Sequence, residues 1–353
     1  MLSNGDFMGK VKVGVIGSGF IAQHHCNAYA QLPDVEIVGI SSVLEDEAQA
    51  LAEMYAIKEG PFADYQDLLA LDLDAVSLCV PNFLHQEIAV AAIEAGKHIM
   101  IEKPLARNVA EGEAILAAAT KAGKQIFYCE NNIYAPAFNK VKEVISQGAL
   151  GQIYMGRGKE QHSGPHSQWF YKLEPAGGGA LIDLGIHDVA CLLWFLDDKV
   201  DKVFCQTTTT IPDRGKFGPC EVDDNAVGVL YFHNGAMVTI EESWTAPGGY
   251  DMRFELYGTD GQLSVSPTRN DQILVYSSKG FGYAVEKAET TTGWTFPVPG
   301  EDYFFGYVQE MRHFVNCIKT GEQPITGGQL GYDALRVIEA MYRSAQSGTI
   351  ELV

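Results

Sequence analysis

The sequence predicts two domains of different class, an α/β domain in residues 1–129 followed by an α+β domain in residues 130–353. The first observation is length, because 353 residues exceed what one ordinary hydrophobic core supports. The second is a regular alternation of short apolar runs with helical stretches in the first third, which indicates a doubly wound parallel sheet. The third is a change after about residue 130 to consecutive strands, which predicts one large, mostly antiparallel open sheet.

Repeated strand–helix units occupy the first third of the chain. Five apolar runs have the length and composition of strands: Val11–Ile16, Glu36–Ser41, Ala75–Val80, His98–Ile101 and Gln125–Cys129. Four stretches between them have helical spacing: Gln23–Gln31, Glu45–Tyr55, Gln86–Ala95 and Ala110–Ala122. Right-handed crossovers make such strands parallel, and the ligands of such sheets bind beyond the carboxyl ends of the strands.

The rest of the chain predicts more strands and fewer helices. A helix at Ala137–Gln147 and a strand at Gln152–His162 precede a loop, a glycine-rich turn and one long helix, Ala180–Phe195. Six strands then follow, and we expect them to meander antiparallel: Val200–Thr210, Asn225–Phe232, Ala236–Trp244, Met252–Tyr257, Gln262–Ser266 and Gln272–Tyr276. The last two helices are expected at Tyr303–Lys319 and Gly331–Ser347.

Composition narrows the class of protein and of partner. The apolar share of 46% suits a globular fold, and a net charge of −20 without a basic run argues against nucleic acid. An acidic surface fits a neutral sugar or polyol substrate better than a strongly anionic one. The seven cysteines contain no C-x-x-C, which indicates reduced thiols and, with no export signal or membrane-spanning run, a cytoplasmic protein.

A glycine turn follows the first predicted strand and opens a helix. Its sequence, Gly17-Ser18-Gly19-Phe20-Ile21-Ala22, has the G-x-G-x-x-A pattern of a dinucleotide-binding Rossmann fold. Gly17 permits the tight turn, Gly19 permits close approach of a pyrophosphate, and Ala22 keeps the helix near the strand. Phe20 and Ile21 supply N–H groups at the helix start. The alternative is an ordinary βα turn that binds nothing.

Glu102-Lys103-Pro104 follows the fourth predicted strand, at the edge where a ligand would bind. Pro104 keeps Lys103 out of helical geometry, so an extended backbone holds the ammonium at the cleft. An ammonium placed there can stabilise negative charge that develops on a substrate oxygen. The alternative is a surface lysine that closes a strand.

A second group of chemical residues follows the glycine run at Gly177-Gly178-Gly179. Asp183 and His187 are four apart and therefore share a face of the predicted helix. A histidine titrates near neutrality and can exchange the proton of a carbinol, while the aspartate positions it or contacts the same substrate. The glycines are expected to allow close packing against a bulky cofactor. The alternative is an ordinary helix start with a core histidine.

Further candidates flank these groups. His162, His166 and Trp169, with Tyr171, crowd the loop before the long helix and could line a sugar pocket. After the third predicted strand, Pro81 is followed by Asn82 and His85, which are candidates for contact with a nicotinamide ribose or for helix capping. A set of candidate metal ligands could also be proposed from Glu160, His162, Asp183 and His187. No H-x-x-x-H or C-x-x-C spacing supports it, and we predict no metal.

These motifs together resemble the glucose–fructose oxidoreductase/inositol dehydrogenase/MocA family over nearly the whole chain. The resemblance implies an NAD(P)-dependent oxidoreductase acting on sugars, inositols or glycosides, with a Rossmann domain and a second domain whose sheet forms the substrate pocket and the contact of a homodimer or homotetramer. It places the family's catalytic lysine, aspartate and histidine on Lys103, Asp183 and His187. It also implies that Ser41, Ser42, Glu102 and Lys103 lie at the cofactor and that Tyr134 lies at the substrate.

The chain departs from the family pattern at two points. Ser42 stands where many NAD-using members have an acidic residue, and a serine there could instead accommodate the 2′-phosphate of NADP. However, no Lys or Arg follows before Lys58, and Glu45, Asp46 and Glu47 would repel a 2′-phosphate. We therefore favour NAD, with NADP not excluded. The arginine that the family often has near Ile133 is absent.

The resemblance implies a hydride transfer in which His187 takes the proton of a secondary hydroxyl, Lys103 steadies the oxygen and Asp183 positions the hydroxyl or the imidazole. Two alternatives remain at this stage. One is an NAD-dependent glycosidase that oxidises a sugar transiently and eliminates the leaving group. The other is a sensor that binds dinucleotide and sugar without turnover.

Overall fold

The computed structural model describes residues 9–268, 275–278, 292–295 and 300–353. It divides into two compact units, the first comprising Met1–Tyr134 with Gly306–Tyr332 and the second Ala135–Phe305 with Asp333–Val353. The first segment of the first unit ends at Tyr134, only a few positions after the predicted domain boundary between residues 129 and 130. The segment Gly306–Tyr332, which the sequence-based division assigns to the second domain, groups here with the first unit.

Fifteen strands and thirteen α-helices are present in the described residues. The strands are β1 (Val11–Ile16), β2 (Val35–Ser41), β3 (Glu59–Phe62), β4 (Ala75–Leu78), β5 (His98–Glu102), β6 (Ile126–Cys129), β7 (Ile153–Gln161), β8 (Val200–Thr208), β9 (Asn225–Phe232), β10 (Met237–Ser243), β11 (Asp251–Gly258), β12 (Gln262–Val265), β13 (Val275–Ser277), β14 (Gly293–Thr295) and β15 (Glu351–Leu352). The helices are α1 (Phe20–Ala30), α2 (Glu45–Met54), α3 (Tyr65–Leu69), α4 (His85–Glu94), α5 (Val109–Ala122), α6 (Asn131–Tyr134), α7 (Pro136–Ser146), α8 (Leu173–Ala176), α9 (Ala180–Asp183), α10 (Gly185–Leu196), α11 (Glu301–Phe304), α12 (Tyr307–Thr320) and α13 (Gly328–Ser347).

The first unit contains a six-stranded parallel sheet in the order β3-β2-β1-β4-β5-β6. This is the strand order of a Rossmann fold, and it confirms the predicted doubly wound sheet. β3 and α3 are additional to the predicted elements. β3 is short and contains Pro61, which is tolerated because β3 lies at the edge of the sheet.

The second unit contains a seven-stranded sheet in the order β12-β11-β7-β10-β9-β8-β15. All neighbours are antiparallel except β10 and β7, so the prediction of one large, mostly antiparallel open sheet is confirmed. The predicted simple meander is wrong at one place, because β7 lies between β10 and β11. The strand predicted at Gln272–Tyr276 lies partly outside the described residues, and β13 pairs with β14 in a separate ribbon.

The predicted long helix, Ala180–Phe195, is two helices. α9 ends at Asp183 and α10 begins at Gly185, with Leu184 between them. Almost every residue of α10 is buried, so it lies in the core of the second unit. Among the described helices, none alone is long and apolar enough to cross a bilayer; the segments Leu173–Asp183 and Gly185–Leu196, bent by 49°, meet that criterion only as a pair.

Candidate active site

The turn between β1 and α1 is fixed by the neighbouring strand ends. Gly17 has φ of +106°, and a Cβ atom there would overlap the carbonyl oxygen of Cys79, which follows β4. The Gly17 N–H donates to the Ser41 carbonyl at 2.8 Å, and the Cys79 N–H donates to the Ile16 carbonyl at 2.8 Å. Only glycine fits this position, and the turn is held at the carboxyl edge of the sheet.

Gly19 is the N-cap of α1 and is open on the side where a Cβ atom would point. No described atom lies within 4 Å of that Cβ position, and no side chain of the described residues caps the helix. Ala22 is fully buried, as predicted, while Ile21 is half-buried and Phe20 is 56% exposed. The N–H groups of the first turn and the positive end of the helix dipole therefore suit a pyrophosphate beside Gly19.

Two serines, Ser41 and Ser42, lie at the end of β2, next to the glycine turn. Ser41 is buried and contributes its carbonyl to the glycine turn, whereas the Ser42 hydroxyl lies 2.8 Å from the Ser18 hydroxyl and accepts from Leu44 N–H at 3.1 Å. Lys58, the first cation after Lys12, lies 3.5 Å from Glu36 at the opposite end of β2. The end of β2 therefore presents hydroxyl groups, with the nearest cation along the chain paired at the far end of the strand.

His85 joins the loops that follow β4 and β5. Its ring is fully buried, with Nδ1 2.8 Å from the Pro104 carbonyl oxygen and Nε2 3.0 Å from the Val80 carbonyl oxygen. Burial lowers the pKa of His85, and its contacts with the two carbonyl oxygens oppose that shift. Asn82 is 5% exposed, and both nitrogens of the His85 ring face loop carbonyl oxygens and not the N–H groups of α4. The structure thus gives His85 a role in holding Pro104, next to Lys103, against the β4 loop.

Glu102 points inward and is held by a histidine that the sequence did not single out. One Glu102 oxygen lies 2.8 Å from His25 Nε2, and the other accepts from the Lys103 N–H at 3.2 Å. The second ring nitrogen of His25 lies 3.2 Å from the Ser77 hydroxyl. The Cys129 thiol lies close enough to His25 and Glu102 for the three to hold a metal ion, but the hydrogen bond already explains the pair. Lys103 itself is half-buried just after β5.

The glycine run of the second unit packs against protein and not against a cofactor. A Cβ atom on Gly179 would overlap the backbone of Asp223, and one on Gly178 would overlap the Tyr342 hydroxyl. The Asp223 carboxylate accepts from Gly179 N–H at 3.0 Å, from Leu181 N–H at 2.8 Å and from the Tyr342 hydroxyl at 2.8 Å. At Gly178 and Gly179 the expectation of room for a cofactor is therefore wrong, because protein atoms fill the space. They admit a distant aspartate that caps α9.

Asp183 and His187 lie on either side of the helix break. Asp183 ends α9, is 6% exposed, and accepts a hydrogen bond from Trp244 Nε1 at 3.1 Å. His187 lies in the first turn of α10, is also 6% exposed, and its N–H donates to the Leu184 carbonyl at 2.9 Å. The prediction that both project from one continuous helix is wrong, because the backbone changes direction at Leu184.

The remaining predicted substrate residues differ in exposure. His162 is fully buried, and its Nδ1 accepts from Gly164 N–H at 2.9 Å, which places the ring proton on Nε2. His166 is exposed, and half-buried Trp169 stacks on Phe170 with centroids 3.7 Å apart. Tyr134 is 4% exposed and its hydroxyl lies 3.0 Å from the Thr326 hydroxyl, while burial raises the pKa of Tyr134. Glu160, drawn above as a possible ligand, accepts from the Tyr250 hydroxyl at 2.9 Å.

Sequence reasoning missed His25, Asp223 and Trp244, each of which holds a predicted site residue or its helix. Their partners are 77, 44 and 61 positions away along the chain. The acidic doublet Asp223-Asp224 directly before a strand was the one local signal. Lys103 belongs to the first unit and Asp183 and His187 to the second, so their meeting beside one coenzyme ring stays a prediction.

Comparison with known proteins gives one consistent result. Residues 11–129 match the family model described as an oxidoreductase family with an NAD-binding Rossmann fold, and residues 138–264 match the GFO/IDH/MocA C-terminal domain. Myo-inositol 2-dehydrogenase of Thermotoga maritima is 27% identical over 95% of this chain and 96% of its own.

Two solved structures are similar over almost their entire length. GenD2 from gentamicin A biosynthesis, crystallised with NAD, has a TM-score of 0.90 at 27% identity and covers 100% of this chain and 99% of its own. Levoglucosan dehydrogenase in complex with NADH and levoglucosan has a TM-score of 0.84 at 27% identity, covering 98% and 99%. With the open glycine turn at the edge of a Rossmann sheet, these matches show that the chain belongs to the GFO/IDH/MocA oxidoreductase family and has an NAD-binding Rossmann domain.

Proposed function

We propose that this protein transfers hydride between NAD and a secondary hydroxyl or ketone of a sugar, an inositol or a glycoside. The observation that carries the proposal is the N-terminus of α1 beside Gly19, which no side chain of the described residues caps. It lies at the carboxyl edge of the parallel sheet, and Lys103 follows β5 at that same edge. The sugar and polyol class is supported by relatives named for myo-inositol and levoglucosan. None of the relatives described favours the glycosidase alternative. The sensor alternative does not explain why Lys103, Asp183 and His187 occur together.

The residues of this chain are assigned separate parts of the reaction. When bound, NAD supplies a nicotinamide ring that accepts hydride from a carbinol carbon. The imidazole of His187 takes the hydroxyl proton, a step that contributes on the order of 10²–10⁴-fold to rate. The ammonium of Lys103 stabilises the alkoxide-like oxygen, and the Asp183 carboxylate orients the hydroxyl or the imidazole.

NAD is proposed over NADP because the end of β2 lacks a cation for a 2′-phosphate. The Ser42 hydroxyl is engaged with Ser18, and the first turn of α2 carries Glu45, Asp46 and Glu47. These three carboxylates, just after the end of β2, would repel the dianionic 2′-phosphate of NADP. Titrating the protein with NAD and with NADP tests this directly, and tighter binding of NADP would reverse the assignment.

The catalytic assignment is tested by Lys103→Ala and His187→Ala. Each change is expected to lower kcat by at least about 10²-fold while NAD affinity stays near normal, because neither side chain holds the dinucleotide phosphates. Lys121→Ala and His233→Ala, both at exposed positions, are the matched controls and keep full activity. Full activity in both test variants would exclude this mechanism. A screen of inositols, monosaccharides and glycosides, followed by absorbance of reduced nicotinamide, identifies the substrate.

A homodimer or homotetramer through the seven-stranded sheet forms part of the proposal. Met237 and Val227 are 43% and 56% exposed on one face of the sheet, beside Tyr231 and Met155. That face mixes charges of both signs on a chain of net charge −20, which suits a second copy of the same face. Light scattering on Val227→Glu is expected to show monomers, whereas the control Leu173→Glu, also at an exposed apolar position, leaves the assembly intact.

A further inference from the structure

Trp244 directly follows β10 and donates its only polar hydrogen to the carboxylate assigned to the chemistry. The Nε1 to Asp183 Oδ2 distance is 3.1 Å, and the two side chains are 0% and 6% exposed. An indole N–H can donate but cannot accept. The contact therefore fixes which Asp183 oxygen faces the indole.

The indole has no freedom to move away from Asp183. It packs in a buried cluster with Tyr171 and Val222 from the loops and with Ala180 and Leu184, which flank Asp183 on the chain. The ring of Tyr171 lies edge-on at 5.6 Å between centroids. Close packing of this kind holds both side-chain torsions of a tryptophan, so the direction of the N–H is set by the fold.

The backbone of Trp244 is held as firmly as its ring. Its N–H donates to the Asp224 carbonyl at 2.8 Å, and its carbonyl accepts from Arg214 at 3.3 Å. Arg214 also forms a buried ion pair with the Asp224 carboxylate at 2.7 Å, and its guanidinium lies over the Tyr171 ring. The loop that carries Arg214 thus anchors the donor that reaches Asp183.

We propose that Trp244 is a positioning residue for Asp183, an inference that rests on the proposed function. The indole N–H holds the Asp183 side chain in one rotamer at the point where α9 ends. The chain before Asp183 is fixed independently, because Asp223 caps α9 from the loop that also contacts Trp244. Two adjacent residues, Asp223 and Asp224, thereby fix both the helix that carries Asp183 and the donor that orients it.

The test is Trp244→Phe, which removes the N–H and keeps an aromatic ring in the cluster. The expected result is a kcat about 10- to 100-fold lower, the range for losing a hydrogen bond to a charged group, with NAD affinity unchanged. Trp194→Phe is the matched control, because Trp194 is half-buried on α10 under Lys142, and it keeps full activity. Should Trp244→Phe fail to fold, 3-benzothienylalanine at position 244 replaces the N–H by sulfur without changing the shape.

A double-mutant cycle separates positioning from loss of packing. In an Asp183→Ala background, which removes both carboxylate oxygens, Trp244→Phe is expected to lower kcat by less than about twofold more, because the indole N–H no longer has an acceptor at position 183. A full additional loss in that background, or a wild-type kcat in the single variant, would overturn the proposal. Wild-type activity in Asp183→Ala alone would instead remove Asp183 from the proposed function, so the two failures are distinguishable.

Discussion

Two helices of this chain begin after glycine-rich turns, and their N-termini are satisfied in opposite ways. The turn before α1 leaves open space at Gly19 and no side-chain cap among the described residues. The turn before α9 is filled by Asp223, which accepts from two N–H groups of that turn. A glycine-rich turn thus leaves a helix start that suits an external anion in one unit, and a helix start that already holds a built-in anion in the other.

Glycine content alone therefore does not identify a phosphate site. What distinguishes the two turns is what a Cβ atom would meet, solvent at Gly19 and the Asp223 backbone at Gly179. A glycine required by the fold predicts loss of stability on substitution. A glycine required by a ligand predicts loss of affinity with stability unchanged.

The largest expected effect is that of Gly179→Ala. The added methyl group would displace Asp223, so α9 loses its cap together with the packing of the loop, at a cost of roughly 4 kcal/mol in the free energy of unfolding. Scanning calorimetry is expected to show the second unit melting about 10 °C lower or more. A melting temperature within 2 °C or so of wild type would contradict the proposed role of the glycine.

Gly19→Ala is expected to have the opposite signature. Its φ of −72° suits alanine and the Cβ position is open, so the melting temperature is unchanged. The methyl group does occupy the approach of a pyrophosphate, and NAD affinity is expected to fall about tenfold or more. Isothermal titration with NAD measures this, with Gly9→Ala, at an exposed position whose Cβ space is also open, as a surface control. Unchanged affinity would place the pyrophosphate elsewhere.

The sequence predicted the first unit almost element by element, because each central strand is a short apolar run bounded by helical spacing. It missed β3, whose Gly60-Pro61 lacks any strand pattern and is tolerated only at an edge. It also joined α9 to α10, since Ala180–Phe195 is apolar on all sides and periodicity cannot reveal a break at Leu184. The place of β7 in the sheet depends on pairing between distant strands, which local pattern does not encode.

For the candidate site, the sequence found chemical residues but not the residues that hold them. Lys103 and Asp183 stand in recognisable motifs, whereas His25 and Trp244 do not. Their contacts span 77 and 61 positions, and they became visible only when the fold brought them together. The role of Gly179 was misassigned for the same reason, since Asp223 is 44 positions away.

A second buried acid differs from Asp223 in its surroundings. Glu242 on β10 is 2% exposed and lies among other carboxyl groups. Burial, together with the nearby Asp188 and Glu160 carboxyl groups, raises the pKa of Glu242 well above its ordinary value of about 4.5. The folded state therefore keeps a proton that the unfolded chain releases above that pH.

The sign of the resulting pH dependence follows from proton linkage. Because the folded protein binds more protons, the free energy of unfolding falls as pH rises from about 4.5 towards the raised pKa of Glu242. Glu242→Gln imitates the protonated acid and is expected to remove this part of the decline, so that the variant is more stable than wild type at pH 8. Melting temperatures at pH 5 and pH 8 measure it. Glu241→Gln, at the exposed neighbouring position, is the control, and an equal slope in Glu242→Gln would contradict the argument.

The smallest effect is expected at a third kind of helix start, in which a residue caps its own helix. Asn108 is the N-cap of α5, and its side chain accepts from Glu111 N–H at 3.0 Å. Asn108→Ala leaves that N–H to water and is expected to cost about 1 kcal/mol, or roughly 2–4 °C in melting temperature for a unit of this size. Asn108→Ser, which can accept the same hydrogen bond, is the matched control. The three helix N-termini are then expected to rank by the loss of unfolding free energy on substitution. Displacing the distant buried Asp223 costs the most, and removing the local Asn108 side chain costs little. At Gly19, where no side chain caps the helix, stability is unchanged and the whole effect falls on NAD binding. A loss at Asn108 as large as that at Gly179 would break this ranking.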